Sequence, residues 1–130
     1  GGAGYIGTHI ADLFIADGKD VVLLDSLYQG LESRVEYLRK KHNTSIPLEL
    51  IDIRDYTAVE NILQNNNFAG IVHTAALKAV GESVEKPDEY KEVNFTARPT
   101  IKAPEPTGPP ILCALIDIAA RPLEAKSIGV

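Results

Sequence analysis

Gly1-Gly2-Ala3-Gly4-Tyr5-Ile6-Gly7 is the stretch on which the reading of this chain turns. It satisfies G-x-G-x-x-G from Gly2 and G-x-x-G-x-x-G from Gly1, just ahead of a segment with helical periodicity. Glycines so placed allow a tight turn, a close backbone approach to a phosphate, and close packing of helix on strand. The following helix then offers free N–H groups and the positive end of its dipole to an anion. Three glycines in seven residues are also common in plain loops. The wider unit has to carry the argument.

Outward from that loop, Ile6, Ile10, Leu13 and Phe14 predict one apolar face of a helix, with Gly18 where a C-terminal cap belongs. Val21-Val22-Leu23-Leu24 then reads as a parallel strand covered on both faces, ending in Asp25. An acid at that carboxyl end can accept from the hydroxyls of an adenosine ribose, and its charge repels a 2′-phosphate. The pair of features therefore points to a dinucleotide site that favours NAD over NADP. An ordinary turn or cap role for Asp25 is the structural alternative.

The pattern repeats. Ser26 to Gly30 form a loop, and Leu31, Val35 and Leu38 predict a charged helix ending near Asn43. Leu48-Glu49-Leu50-Ile51 follow Pro47 as the next strand, with Asp52 and Ile53 at its end, placed to meet an adenine ring. Asp55 caps a helix carrying Val59, Ile62 and Leu63, which Asn65-Asn66-Asn67 terminate. Ala69-Gly70-Ile71-Val72-His73 form a further strand, leading into Thr74-Ala75-Ala76, small residues that leave room for a cofactor backbone. Such alternation predicts an α/β, Rossmann-like, doubly wound parallel sheet.

Composition excludes other classes. The chain has 130 residues, is 45% hydrophobic and 24% charged, and carries a net charge of -5, which suits one α/β domain or part of a larger one. That charge leaves no footprint for nucleic acid. Arg39-Lys40-Lys41 reads as a solvated helix end. Cys113 has no partner for a disulfide and fits a reducing compartment, and no apolar run reaches the ~18 residues of a membrane span. A cytoplasmic protein is the default expectation. His9, His42 and His73 are isolated, so no metal site is expected. Tyr37 and Lys41 have the Tyr-x-x-x-Lys spacing but fall on an early helix, where they are simply neighbours one turn apart.

Gly1 to Gly7, Val22-Leu23-Leu24-Asp25, Asp52-Ile53-Arg54-Asp55 and above all His73 to Pro87, with Leu77-Lys78-Ala79-Val80-Gly81-Glu82-Ser83-Val84-Glu85-Lys86-Pro87, resemble UDP-glucose 4-epimerase. That family belongs to the extended short-chain dehydrogenase/reductases, and the resemblance covers residues 1–96. It implies that Gly1, Gly4, Tyr5, Ile6 and Gly7 hold a pyrophosphate, Asp25 and Ser26 the adenosine ribose, and Asp52 and Ile53 the adenine. Thr74, Ala75, Ala76 and Lys78 would border the nicotinamide side, with Asn94 a further contact. Ser83 is read as a cap for the helix that Pro87 begins. The resemblance further implies NAD as cofactor, a UDP-sugar substrate and a homodimer for the full-length protein, and a place in galactose metabolism. The family's catalytic tyrosine and lysine have no counterpart here, so this chain alone is expected to be inactive. The alternatives are a non-catalytic nucleotide-binding or interaction module, or another NAD-dependent sugar-nucleotide epimerase or dehydratase.

Two expectations concern completeness. With no methionine and an opening on the glycines, the sequence reads as starting inside a gene product, without the strand that normally precedes the loop. An incomplete sheet lacking its first strand would leave two ladder edges open and aggregation-prone. Residues 97–130 form a divergent, proline-rich tail, in which Ile111 to Ala120 are apolar nearly all round and fit a helix or a strand equally.

Overall fold

The computed structural model describes residues 1–97 and the strand at 111–114. Along the chain these are α1 (Tyr5–Ala16), β1 (Asp20–Asp25), α2 (Glu32–His42), β2 (Leu48–Leu50), α3 (Tyr56–Asn65), β3 (Phe68–Ile71), α4 (Val80–Glu85), α5 (Pro87–Lys91) and β4 (Ile111–Ala114). A π-helical turn, Glu92–Thr96, extends α5 and closes with an Ala97 N–H bond to the Glu92 carbonyl at 2.7 Å.

The sheet is four-stranded in the order β2-β1-β4-β3. β1 pairs in parallel with β2 and with β4, and β3 pairs in parallel with β4. The open centre expected from the sequence is therefore corrected: β4, from the far end of the chain, lies between β1 and β3. Asp20 to Leu23 pair with Ile111 to Ala114, and one step further along β1 the Leu24 carbonyl accepts the Gly2 N–H at 2.8 Å. The glycine loop thus takes up the β1 ladder where β4 leaves it. Within the apolar run 111–120 the strand alternative holds for 111–114, and the remainder lies outside the described residues.

Alternate residues of β1 feed opposite faces, as a strand's two-residue period requires. Val21 and Leu23 pack with Ala3, Ala11, Val35, Leu38 and Ile46 on the α1/α2 side. Leu24 packs with Ile53, Val59, Phe68 and Ala97 on the α3 side. Leu23, Leu24 and Phe68 are fully buried, each such side chain contributing about 1.5–3 kcal/mol.

Local signals account for four helix ends. The Asp55 carboxylate accepts the Ala58 N–H at 3.0 Å at the start of α3. Gly18, at φ 75°, takes the left-handed turn after α1, and Asn43, at φ 48°, does so after α2. Pro87 begins α5 as expected, but Ser83 does not cap it. Ser83 lies within α4, and its hydroxyl donates to the Val80 carbonyl at 2.6 Å. The predicted face of α1 is corrected in part, since Phe14 packs against the core as expected. Leu13 and Ile6 are 71% and 47% exposed, while Gly7, Thr8 and Ala11 are buried. Small residues win that face because the helix start lies directly on the loop: a Cβ at Gly7 would fall 2.2 Å from the Gly1 carbonyl oxygen.

Candidate functional site

The loops at the carboxyl ends of β1, β2 and β3 converge with the Gly1–Gly7 turn around a crevice of about 470 Å³. In open α/β sheets this end is where ligands bind. Gly1 packs closely against the segment after β3. A Cβ there would meet the Ala75 nitrogen at 2.4 Å, and the Gly1 carbonyl accepts the Thr74 hydroxyl at 2.8 Å. The turn is thus tied on one side to the end of β1 and on the other to the segment after β3.

Asp25 is the polar centre of the arrangement. It is only 5% exposed, yet its carboxylate borders the crevice. Oδ2 accepts the Ala3 N–H at 2.9 Å and Oδ1 accepts the Leu27 N–H at 2.7 Å. A buried carboxylate needs such donors, because an unpaired one would carry a desolvation cost of several kcal/mol. Leu27 accepts a left-handed backbone, φ 57°, to supply its amide, a conformation that costs a non-glycine residue about 1–2 kcal/mol. Gly30 is required opposite, since a Cβ at that position would lie 2.5 Å from Asp25 Oδ1.

On the β2 side, Asp52 and Ile53 reach the crevice. The Asp52 carboxylate accepts Arg54 Nε at 3.0 Å and Arg54 Nη2 at 2.6 Å, and this guanidinium holds its carboxyl below the ordinary value. On the β3 side stand Thr74, Ala75, Ala76 and Lys78. Lys78 is exposed.

Of the residues singled out from sequence, Gly1, Gly4, Tyr5, Ile6, Gly7, Asp25, Ser26, Asp52, Ile53, Thr74, Ala75, Ala76 and Lys78 all line this crevice. Asn94 does not. Its side-chain oxygen accepts the Leu77 N–H and its amide donates to the Leu77 carbonyl, both at 2.8 Å, so it clamps the loop that carries Lys78. Tyr28, Gln29, Gly30 and Arg34 also line the crevice and were not singled out as contacts. Arg34 gives no sequence signal, because on an amphipathic helix it reads as one more solvated charge.

Tyr37 is 63% exposed, and Lys41 reaches Asp12 at 2.6 Å on the outer surface of α1 and α2, in keeping with their reading as helix neighbours. Among the described residues no helix is long and apolar enough to cross a membrane.

Comparison with known proteins agrees with this geometry. Residues 1–101 match the family model of GDP-mannose 4,6 dehydratase. The UDP-glucose 4-epimerase of Mus musculus is 38% identical over 102 residues, covering 74% of this chain and 29% of the mouse protein. The corresponding epimerase of Schizosaccharomyces pombe is 35% identical over 96 residues, covering 74% of this chain and 27% of the relative. Among solved structures, the UDP-glucose 4-epimerase of Stenotrophomonas maltophila, crystallised with NAD and formylated UDP-arabinopyranose, superposes with a TM-score of 0.70 at 35% identity, over 74% of this chain and 29% of that one. The Bifidobacterium longum enzyme, in complex with NAD+ and UDP, does so at 0.70 and 33%, with the same coverage. The chain thus spans less than a third of the length of these relatives.

Proposed function

The chain belongs to the GDP-mannose 4,6 dehydratase family, and from that premise we propose that its first 96 residues are the NAD-binding part of a UDP-glucose 4-epimerase. The observation that carries this reading is the bond from the Ala3 amide to Asp25, which sets an anion-cradling turn and a ribose-binding acid on one crevice. The epimerase resemblance of Leu77 to Pro87 and the named relatives favour epimerisation over dehydration within the family.

The residues fit the cofactor. Gly1, Gly4 and Gly7, with Tyr5 and Ile6, leave backbone uncovered against the pyrophosphate. Asp25 and Ser26 border the adenosine ribose, Oδ1 of Asp25 retaining a lone pair beyond its bond from the Leu27 amide. Asp52 and Ile53 border the adenine. Thr74, Ala75 and Ala76 leave passage for the second ribose, and the Lys78 ammonium donates to its oxygens. Asn94 acts indirectly by holding the Leu77 backbone.

Bound NAD supplies a hydride acceptor for a sugar carbon. This chain's residues would orient that acceptor; no proton transfer is assigned to them. The UDP-sugar, the homodimer, a cytoplasmic setting and a role in galactose metabolism belong to the proposal for the whole protein.

Calorimetric titration of the 130-residue chain with NAD+ tests the reading. Saturable binding by the wild-type chain supports it. Absence of binding at millimolar NAD+ would overturn it and leave a non-catalytic interaction module.

A further inference from the structure

The crevice has two banks. The loop after β1 supplies one, with Ser26, Tyr28 and Gln29, and the segment after β3 supplies the other, with Leu77 and Lys78. That second bank runs on through Ala79 into α4. Tyr28 reaches from the first bank to the second: its hydroxyl donates to Glu82 Oε1 at 3.0 Å, joining residues 54 positions apart.

The two ends of this bond are held differently. Glu82 is half-buried and fixed within its own bank. The Tyr90 hydroxyl, shared with the Ala79 carbonyl, donates to Oε2 at 3.0 Å, and the Lys86 ammonium donates to Oε1 at 3.2 Å. Tyr90 is itself buried, on α5. Lys86 first, then the hydroxyls of Tyr90 and Tyr28, hold the Glu82 carboxyl below its ordinary value of 4.5, so at neutral pH it is an ionised acceptor. Tyr28, by contrast, is exposed, and its own amide donates within the same loop, to Ser26 Oγ at 3.4 Å. The loop is tied down on either side of it, by the Leu27 N–H to Asp25 and the Leu31 N–H to the Ala3 carbonyl.

A fixed acceptor facing an exposed side chain on a short loop has the form of a latch. Tyr28 can leave Glu82 by rotating its side chain, with no change in the fold. Water competes for an exposed hydrogen bond, so closure is favoured only modestly and opening is frequent. We propose that Tyr28 and Glu82 form a latch across the mouth of the crevice, which opens for a dinucleotide to enter and again for it to leave. The proposal rests on the dinucleotide reading of the site and deepens it: the latch sets how fast the cofactor exchanges. A bond between two parts of the protein bars both directions alike, so it changes the rates and leaves the affinity nearly untouched.

Stopped-flow fluorescence with NADH tests it on the full 130-residue chain, association by direct mixing and dissociation by displacement with excess NAD+. Tyr28→Phe keeps the ring and removes the hydroxyl, and Glu82→Ala removes the acceptor. Each should raise both rate constants by the same factor, about two- to tenfold, with Kd within about twofold of wild type. The double variant should be no faster than the faster single one, because the same bond is cut in all three. Lys86→Met spares the crossing and should leave both rates within about twofold. Saturation by NADH reports that each variant is folded, and if Glu82→Ala does not saturate, Tyr28→Phe decides alone. Rates indifferent to Tyr28→Phe overturn the latch while the dinucleotide reading stands. So does a faster dissociation matched by a weaker Kd, which would make Tyr28 a ligand contact instead. If the wild-type chain binds neither NADH nor NAD+, both fall together.

Discussion

The Ala3 backbone N–H donates to Asp25 Oδ2 at 2.9 Å, so the acid at the end of β1 builds the glycine turn as well as facing its crevice. The two duties cannot be separated by mutation. Asp25→Ala leaves the Ala3 and Leu27 amides without their acceptors and removes the reason for Leu27 to hold a positive φ. A loss of about 2–4 kcal/mol in urea unfolding is expected, from two hydrogen bonds to a charged group at about 1.5–3 kcal/mol each, partly offset by relief at Leu27.

Two glycines should respond oppositely to the same change. Gly7→Ala drives a methyl to 2.2 Å from the Gly1 oxygen and 2.9 Å from Gly2 Cα, both backbone atoms. It should destabilise the chain by about 1–3 kcal/mol or more and disturb the turn. Gly81→Ala, inside α4, meets nothing within 4 Å, and should stabilise by about 0.4–1 kcal/mol through the unfolded state. Thermal denaturation of the pair checks both signs.

A third expectation concerns the middle of the sheet. Leu112 pairs with Val21 on one side and Gly70 on the other. Leu112→Pro removes an N–H from a strand bonded on both edges, which should cost about 1–3 kcal/mol. Leu112→Val keeps the N–H and a strand-favouring residue, and serves as the control. Equal melting of both variants would show that β4 does not support the sheet.

Acid sensitivity has a local source. Hydrogen bonding from the Lys41 ammonium, then from the His42 ring, holds the Asp12 carboxyl below its ordinary value of 3.8. A carboxyl whose folded-state pKa is depressed adds stability above its unfolded value, and that stability is lost as pH falls through the folded value. Asp12→Asn should therefore melt below wild type at about pH 7 and match it at about pH 2. A difference independent of pH would point to packing instead.

How far the sequence could be read depends on what each feature asks of the chain. The glycine turn and Asp25 were legible because both are backbone demands, and few residue types satisfy them. Asp55, Gly18 and Asn43 were legible at helix ends for the same reason. The buried face of α1 was misread because apolar periodicity assumes that large residues point inward, whereas a helix lying on its own loop buries Gly7, Thr8 and Ala11. Arg34 was illegible, since nothing in a charged helix marks which side chain overlooks a crevice. Strand β4 was undecidable from sequence because a short apolar run carries neither a period nor the identity of its neighbours, and its slot became visible only once β1 and β3 were in place.

That slot bears on how the molecule comes into being. Among the described strands, β1, β2 and β3 all precede residues 111–114, and the strand that joins β1 to β3 is the fourth of them in chain order. Long-range parallel pairing of this kind is slow to form. In refolding of the 130-residue chain, a chaperone or a strand from another polypeptide should therefore compete with β4 for the same slot.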